Sequence, residues 1–264
     1  MKKVIIFELK RAFHGIGMKI SLLLGMMVCI LDLSLFYFQY GAPNGMILIQ
    51  AWIGTDYQFA YNSLFYVLMP ILACLPYAGS YFTDIDSGYE KNICIRTSRL
   101  SFLIAKGIVV FVSAAFVVIF PLAVDFIAAA GLYPNHRPEK LYFLTAGIID
   151  CNMFSRLFNQ NPLLYAVLFI LIDGMFAGLM GLMSVCVSKW VKSHFSAVMI
   201  PFVIYILTGV LLLNDNGYSL SVMEMINPAQ RVLVRVYEMI LLYVVIFFLS
   251  SFITWFWSRK RDII

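Results

Sequence analysis

Charge is scarce in this sequence. Only 12% of its 264 residues are Asp, Glu, Lys or Arg, and 62% are hydrophobic, with a mean hydropathy of +0.89. An ordinary soluble domain carries about twice that charge. The apolar residues also come in long runs, so one greasy core is excluded and a polytopic membrane protein is implied, with residues 1–264 as a single transmembrane domain. The net charge of +5 is small and dispersed, which excludes a nucleic-acid partner and fits contact with membrane lipid. Cysteine is sparse too. Cys29, Cys74, Cys94, Cys151 and Cys186 form no CxxC and have no histidine beside them, so neither a disulfide framework nor a metal site is implied.

The chemistry of catalysis is missing as well. The dipeptide Gly-Lys never occurs, which excludes a phosphate-cradling P-loop and an ATPase within this chain. The three histidines, His14, His136 and His194, make no HExxH, and there is no G-x-S-x-G elbow. No catalytic residues are assigned and no enzyme activity is expected. The N-terminus is not expected to be a cleavable signal, because its apolar run begins only at Met18, is long enough to span, and has no A-x-A site after it.

What is present is a set of six apolar runs: Ile20–Phe38, Ser63–Phe82, Phe102–Ala130, Leu163–Val187, Phe195–Leu213 and Tyr237–Trp257. Each has roughly the 20 residues a helix needs to cross ~30 Å of hydrocarbon. The expected fold is therefore all-α with six transmembrane helices. The third run is over-long and should tilt, or leave the bilayer beyond Pro121. Pro70, Pro76, Pro121 and Pro201 predict kinks, since proline donates no backbone hydrogen bond. Ahead of the first run, residues 2–19 read as an interfacial amphipathic helix. Ile5, Leu9, Ala12 and Ile16 line one face with Ile6 and Phe13 beside them, and Lys3, Lys10, Arg11 and His14 lie opposite. An ordinary basic flank of the first span is the plainer reading. Gly15 and Gly17 are expected to break this helix before the chain enters the bilayer.

Between the second and third runs lies the most charged stretch, Tyr81–Lys106, with Asp84, Asp86, Glu90, Lys91, Arg96, Arg99 and Lys106. No water in hydrocarbon could solvate these groups, so residues 83–101 must emerge on one membrane face. With both termini on that face, 14 of the 19 Lys and Arg residues share it, which makes it the cytoplasmic side of the cell membrane. A charged segment presented there is a handle for a partner outside the bilayer.

On the opposite side, Gly41–Asn62 is rich in aromatics (Trp52, Tyr57, Phe59, Tyr61) and suits a lid on the headgroups. Gly131–Asn161 is the longest loop. Residues 214–236 contain an apolar part, Leu220–Ile226, able to dip back into the membrane, with Asn227-Pro228 as its turn. Asp32, Asp125 and Asp173 lie in or near spans, where an unpaired carboxylate costs ~2.5–3.5 kcal/mol. They read either as a polar lining or proton-coupling set, for which Asp32 and Asp173 are the candidates, or as helix–helix hydrogen-bonding groups. Gly174, Gly178 and Gly181, with Ala177 and Ser184, place small residues along one side of the fourth span, for packing within the bundle or against another subunit.

Asp84-x-x-x-Gly88-x-x-Lys91-Asn92, followed by Ser98-Arg99 and Lys106, resembles the loop between the second and third spans of type-2 ATP-binding-cassette (ABC) permeases. The order of parts is similar across the chain: interfacial helix, six spans, and a re-entrant-looking loop before the last. Members often carry Gly-Thr where Gly88-Tyr89 stands, and proline at the place of Arg96. The resemblance implies a permease subunit of an ATP-driven exporter, with a short cytoplasmic coupling helix after Gly88. It assigns ATPase coupling to Asp84, Gly88, Glu90, Lys91, Arg96 and Arg99. It also implies an ABC ATPase subunit as partner, holding the ATP and Mg that this chain does not bind, and a second permease copy or paralogue. Apolar spans suit an amphipathic cargo such as a peptide. A membrane-bound immunity or sensor protein, and an ion-coupled transporter using Asp32 and Asp173, are the competing classes.

Overall fold

A computed structural model describes residues 2–41, 46–56, 60–77, 79–95, 98–135, 153–188, 190–191, 193–212, 220–230 and 233–260. The fold is all-helical. Among the described residues four helices are long and apolar enough to cross a membrane: α2 (Ile16–Tyr40), α7 (Arg99–Leu132), α9 (Pro162–Val187) and α12 (Val236–Lys260). The other two expected spans are shorter, as α4 (Ala60–Cys74) and α10 (His194–Leu211). At ~1.5 Å per residue α4 covers about 22 Å, less than the hydrocarbon core. The remaining helices are α1 (Lys2–His14), α3 (Leu48–Ala51), α5 (Ser80–Asp86), α6 (Tyr89–Cys94), α8 (Ser155–Gln160) and α11 (Val222–Ile226).

The centre of the bundle is the α7–α9 pair. The apolar window of α9 is 67% buried, against 17% for α12 at the periphery. The small residues of α9 explain this placement. A Cβ on Gly174 would lie 2.4 Å from Ile119, one on Gly178 2.5 Å from the Phe111 ring, and one on Gly181 3.0 Å from Ala114. All three neighbours belong to α7, so the small side of α9 is a seam within the bundle.

Three prolines sit inside unbroken helices: Pro70 in α4, Pro121 in α7 and Pro201 in α10. Pro76 behaves differently. The expected second span, Ser63–Phe82, is interrupted after Cys74 by a turn at Leu75–Tyr77 and resumes as α5. The missing N–H of Pro76 ends the ladder there. The first turn of α2 packs on that break: a Cβ on Gly17 would fall 2.3 Å from the Leu75 carbonyl oxygen. Gly17 therefore permits a close approach and does not break a helix. Gly15 does separate α1 from α2, with extended backbone at the N-cap.

Two expectations about the loops need correction or refinement. Ile47–Asp56 is no lid on the headgroups, because every residue of it is buried, with Trp52 and Ile53 at 0% exposure. The segment is apolar, and the bundle satisfies its backbone: the Asp125 carboxylate accepts from Ile53 N–H at 3.0 Å, and Asn62 Nδ2 donates to the carbonyls of Ile53 and Gly54 at 2.6 and 3.0 Å. It is a plug. Val222–Ile226 forms a short helix, α11, against α10, α9 and α4. Asn227 closes its turn by accepting from Ala229 N–H at 2.9 Å, and its Nδ2 donates to Asn62 Oδ1 at 2.9 Å. Plug and α11 turn are thus tied together at one end of the bundle. Most of the longest loop, 136–152, lies outside the described residues, as do Tyr57 and Phe59.

Candidate functional site

At the other end of the bundle the chain brings four charges into contact, three of them buried. Glu8 and Arg11 come from α1, Asp84 from α5, and Lys106 from two turns inside α7. Glu8, Asp84 and Lys106 are 0% exposed, while the Arg11 side chain is 37% exposed. Lys106 Nζ donates to Glu8 Oε2 at 3.1 Å and also to Asp84 Oδ2. Arg11 pairs with Asp84 Oδ1 at 2.6 Å and stands 3.9 Å from Glu8. Two acids and two bases therefore form a closed, neutral ring.

Aromatic side chains complete it. The hydroxyl of Tyr77, in the turn made by Pro76, donates to Glu8 Oε2, and that of Tyr89, in α6, donates to Glu8 Oε1 at 3.2 Å. The ring of Tyr77 faces Lys106 Nζ at 4.4 Å, and that of Tyr89 faces the Arg11 guanidinium at 5.0 Å. Cations over ring faces gain attraction where water is thin. Burial, then the negative charge of Glu8, pushes the Tyr89 phenol up to about 12, so it stays a donor through the physiological range.

This arrangement sorts the residues expected to couple to an ATPase. Asp84 is not a surface contact. It is fully buried and spent on Arg11 and Lys106, because an anion at the foot of α5 is the nearest counter-charge for a lysine inside an apolar helix. Glu90 is buried as well. Gly88 sits at the N-cap of α6 with φ +70, the left-handed region that favours glycine, and nothing lies within 4 Å of where a Cβ would be. Ser98 caps α7 by accepting from Ser101 N–H. Arg96, and the side chains of Lys91 and Arg99, lie outside the described residues. The residue that sequence reasoning missed is Glu8. It is the one acid of a basic helix, Lys106 within an apolar run calls for a buried anion, and Glu8 shares a helix face with Arg11 one turn on.

The intramembrane acids fall into two environments. Asp173 lies at 0% exposure on α9, where its Oδ2 accepts from Tyr66 OH at 3.1 Å. Tyr205, Tyr165 and Tyr243 surround it, each donating to a backbone carbonyl. One Asp173 oxygen thus makes a hydrogen bond between α4 and α9, and the other, Oδ1, is buried with no hydrogen-bond partner among the described residues. Replacing it by Asn keeps the acceptor for Tyr66, so Asp173→Asn should change the melting temperature by no more than a few degrees, about 1 kcal/mol for one neutral hydrogen bond. A collapse of membrane abundance would show that the carboxyl itself is required. Asp32 and Asp173 share no partner, and Asp32 lies near Asp56 and Asp125 instead. Among the described residues no three His, Cys, Asp or Glu side chains converge to hold a metal ion.

By length and composition of its helices the chain is an all-helical membrane protein. No family model, no curated protein and no solved structure matches it.

Proposed function

We propose that the chain is the permease subunit of an ATP-driven ABC exporter in the cell membrane, crossing six times with both termini cytoplasmic. It moves an amphipathic cargo such as a peptide, with energy from a separate ATPase subunit that holds ATP and Mg, and it works beside a second permease copy or paralogue. The observation that carries this reading is the buried ring of Glu8, Arg11, Asp84 and Lys106. It fastens an interfacial helix, the α5–α6 corner and the foot of α7 into one body at the most basic end of the chain. Force delivered to such a corner passes directly into α7, the helix that packs against α9 at the bundle centre. The resemblance of Asp84–Lys106 to the coupling loop of type-2 permeases supports the same reading. In this reading the ring transmits force, and the outward residues of α6 and the following turn make the contact.

Co-purification from native membranes tests it. An attached P-loop ATPase is expected, and its hydrolysis should respond to the permease. Gly88→Val should weaken that association at least tenfold, because a β-branched residue resists the left-handed conformation that turns α5 into α6. Membrane abundance should stay near normal, since nothing crowds the position. If no P-loop protein co-purifies, a membrane-bound immunity or sensor protein becomes the better reading.

A further inference from the structure

On the side of α9 away from its glycine seam lies a feature that needs no ATPase. α10 and α12 both pack on α9, and between them they leave an apolar cavity of about 340 Å³. Met180, Met183 and Val187 of α9 form its floor, Ile204 of α10 one wall, and Ile246 and Ile253 of α12 the other. By helical spacing these α9 residues face away from Gly174, Gly178 and Gly181, which meet α7.

The chemistry of the lining excludes a polar occupant. Each hydroxyl or thiol in it donates to a backbone carbonyl of the bundle: Tyr205 to Tyr66 at 3.0 Å, Thr208 to Ile204 at 2.9 Å, Ser250 to Phe247 at 3.0 Å and Cys186 to Ser250 at 3.0 Å. Everything else but Trp190 is hydrocarbon or thioether. The shape is equally selective. The lining runs from Leu242 to Ile253 on α12 and from Phe176 to Val187 on α9, about 16 Å at ~1.5 Å per residue. A volume of 340 Å³ drawn out over that length is a slot, the form of one extended hydrocarbon chain. Val222 of α11 and the paired rings of Phe176 and Tyr205, 5.7 Å between centroids, close one end. Trp190, 54% exposed, stands at the other, and tryptophan favours the headgroup level. Ile204 and Leu249 at the lip are 39% and 57% exposed, so the slot opens sideways, where a bilayer offers acyl chains. Left empty, its walls would forfeit their dispersion contacts.

We propose that this cavity is a phospholipid site. A lipid of the leaflet at the Trp190 end lays one acyl chain in the slot, its methyl end toward α11 and its headgroup beside Trp190. The chain then supplies most of the contact between α10 and α12.

The unaltered protein tests this in phosphatidylcholine vesicles containing a phospholipid with a diazirine near the methyl end of one acyl chain. After illumination, peptide mapping should find label on Met180 or Tyr205, which at 4% and 2% exposure are out of reach of surrounding lipid. Label confined to outward side chains such as Leu241 and Phe248 overturns the proposal. Native mass spectrometry after delipidation in detergent gives a second test. The parent should retain one phospholipid per chain. Val203→Trp should retain it too, because Val203 is 48% exposed beside the cavity without lining it. Ile204→Trp should lose it, because the indole fills the slot. A parent that keeps no phospholipid, or Ile204→Trp keeping as much as Val203→Trp, would equally overturn the site.

Discussion

Lys106→Met should lower stability by roughly 3–5 kcal/mol, the cost of leaving buried charge uncompensated. Methionine fits the volume of the lysine stem, so packing is nearly preserved and the loss is electrostatic. Glu8 and Asp84 would be left fully buried with only the partly exposed Arg11 between them. Thermal melting in detergent, followed by tryptophan fluorescence, measures the loss. The triple variant Lys106→Met, Glu8→Gln, Asp84→Asn should recover more than half of it, because the one charge left, on Arg11, is partly exposed and reached by water. Arg11→Gln should cost far less, about 1 kcal/mol, since water reaches the guanidinium site and partly replaces it. Equal melting of Lys106→Met and the parent would mean that the ring holds nothing together.

The contrast between Lys106 and Arg11 also shows why the ring can act as a joint. A rigid coupling element needs contacts that are strong in one geometry and costly in any other. Buried ion pairs have that property even where their net contribution to stability is small, because separating the partners strands charge in a medium that cannot solvate it. The α1–α5–α7 corner has contacts of that kind, whereas α12 at the periphery meets the bundle mainly through apolar side chains along α9.

Much of this fold is legible in the sequence, because membrane-length helices announce themselves as apolar runs. Expected boundaries such as Leu163–Val187 fall within a residue of the helix found, Pro162–Val187. The failures have a common physical origin. Helix propensity and hydropathy are local, whereas a Pro76 break, a Gly17 approach to Leu75 and a buried Glu8 depend on what a distant segment offers. Ile47–Asp56 was misplaced for the same reason. Trp52 suits headgroups equally well, and burial of the segment's backbone depends on Asn62, beyond its end, and on Asp125, far along the chain. Of the candidate site, Asp84, Gly88 and Lys106 could be found from motif and charge. Their connection to α1 could not, because it requires knowing that α1 lies against α7.

Gly178→Leu is expected to be nearly as damaging as loss of Lys106, for a steric reason. A Cβ at residue 178 would meet three atoms of the Phe111 ring at 2.5, 2.5 and 2.8 Å, inside any tolerable contact. Leucine adds three further carbons in the same direction, so α9 and α7 must separate along their seam, with Ile119 and Ala114 losing contact above and below. Overpacking of this kind costs about 1–3 kcal/mol where neighbours can adjust, and more at a helix seam this close. The membrane level of the variant should fall severalfold, and what remains should melt well below the parent. Phe111→Ala alone should also destabilise, by leaving a cavity. In combination the two should restore much of what each loses, since leucine at 178 fills the space the ring vacates, and a double-mutant cycle would then give a coupling energy of 0.5 kcal/mol or more, about the range for residues in contact. Were the small side of α9 a contact with a second subunit, Phe111→Ala would not rescue Gly178→Leu, and the leucine variant would instead change oligomeric state on native gels while each copy stayed folded.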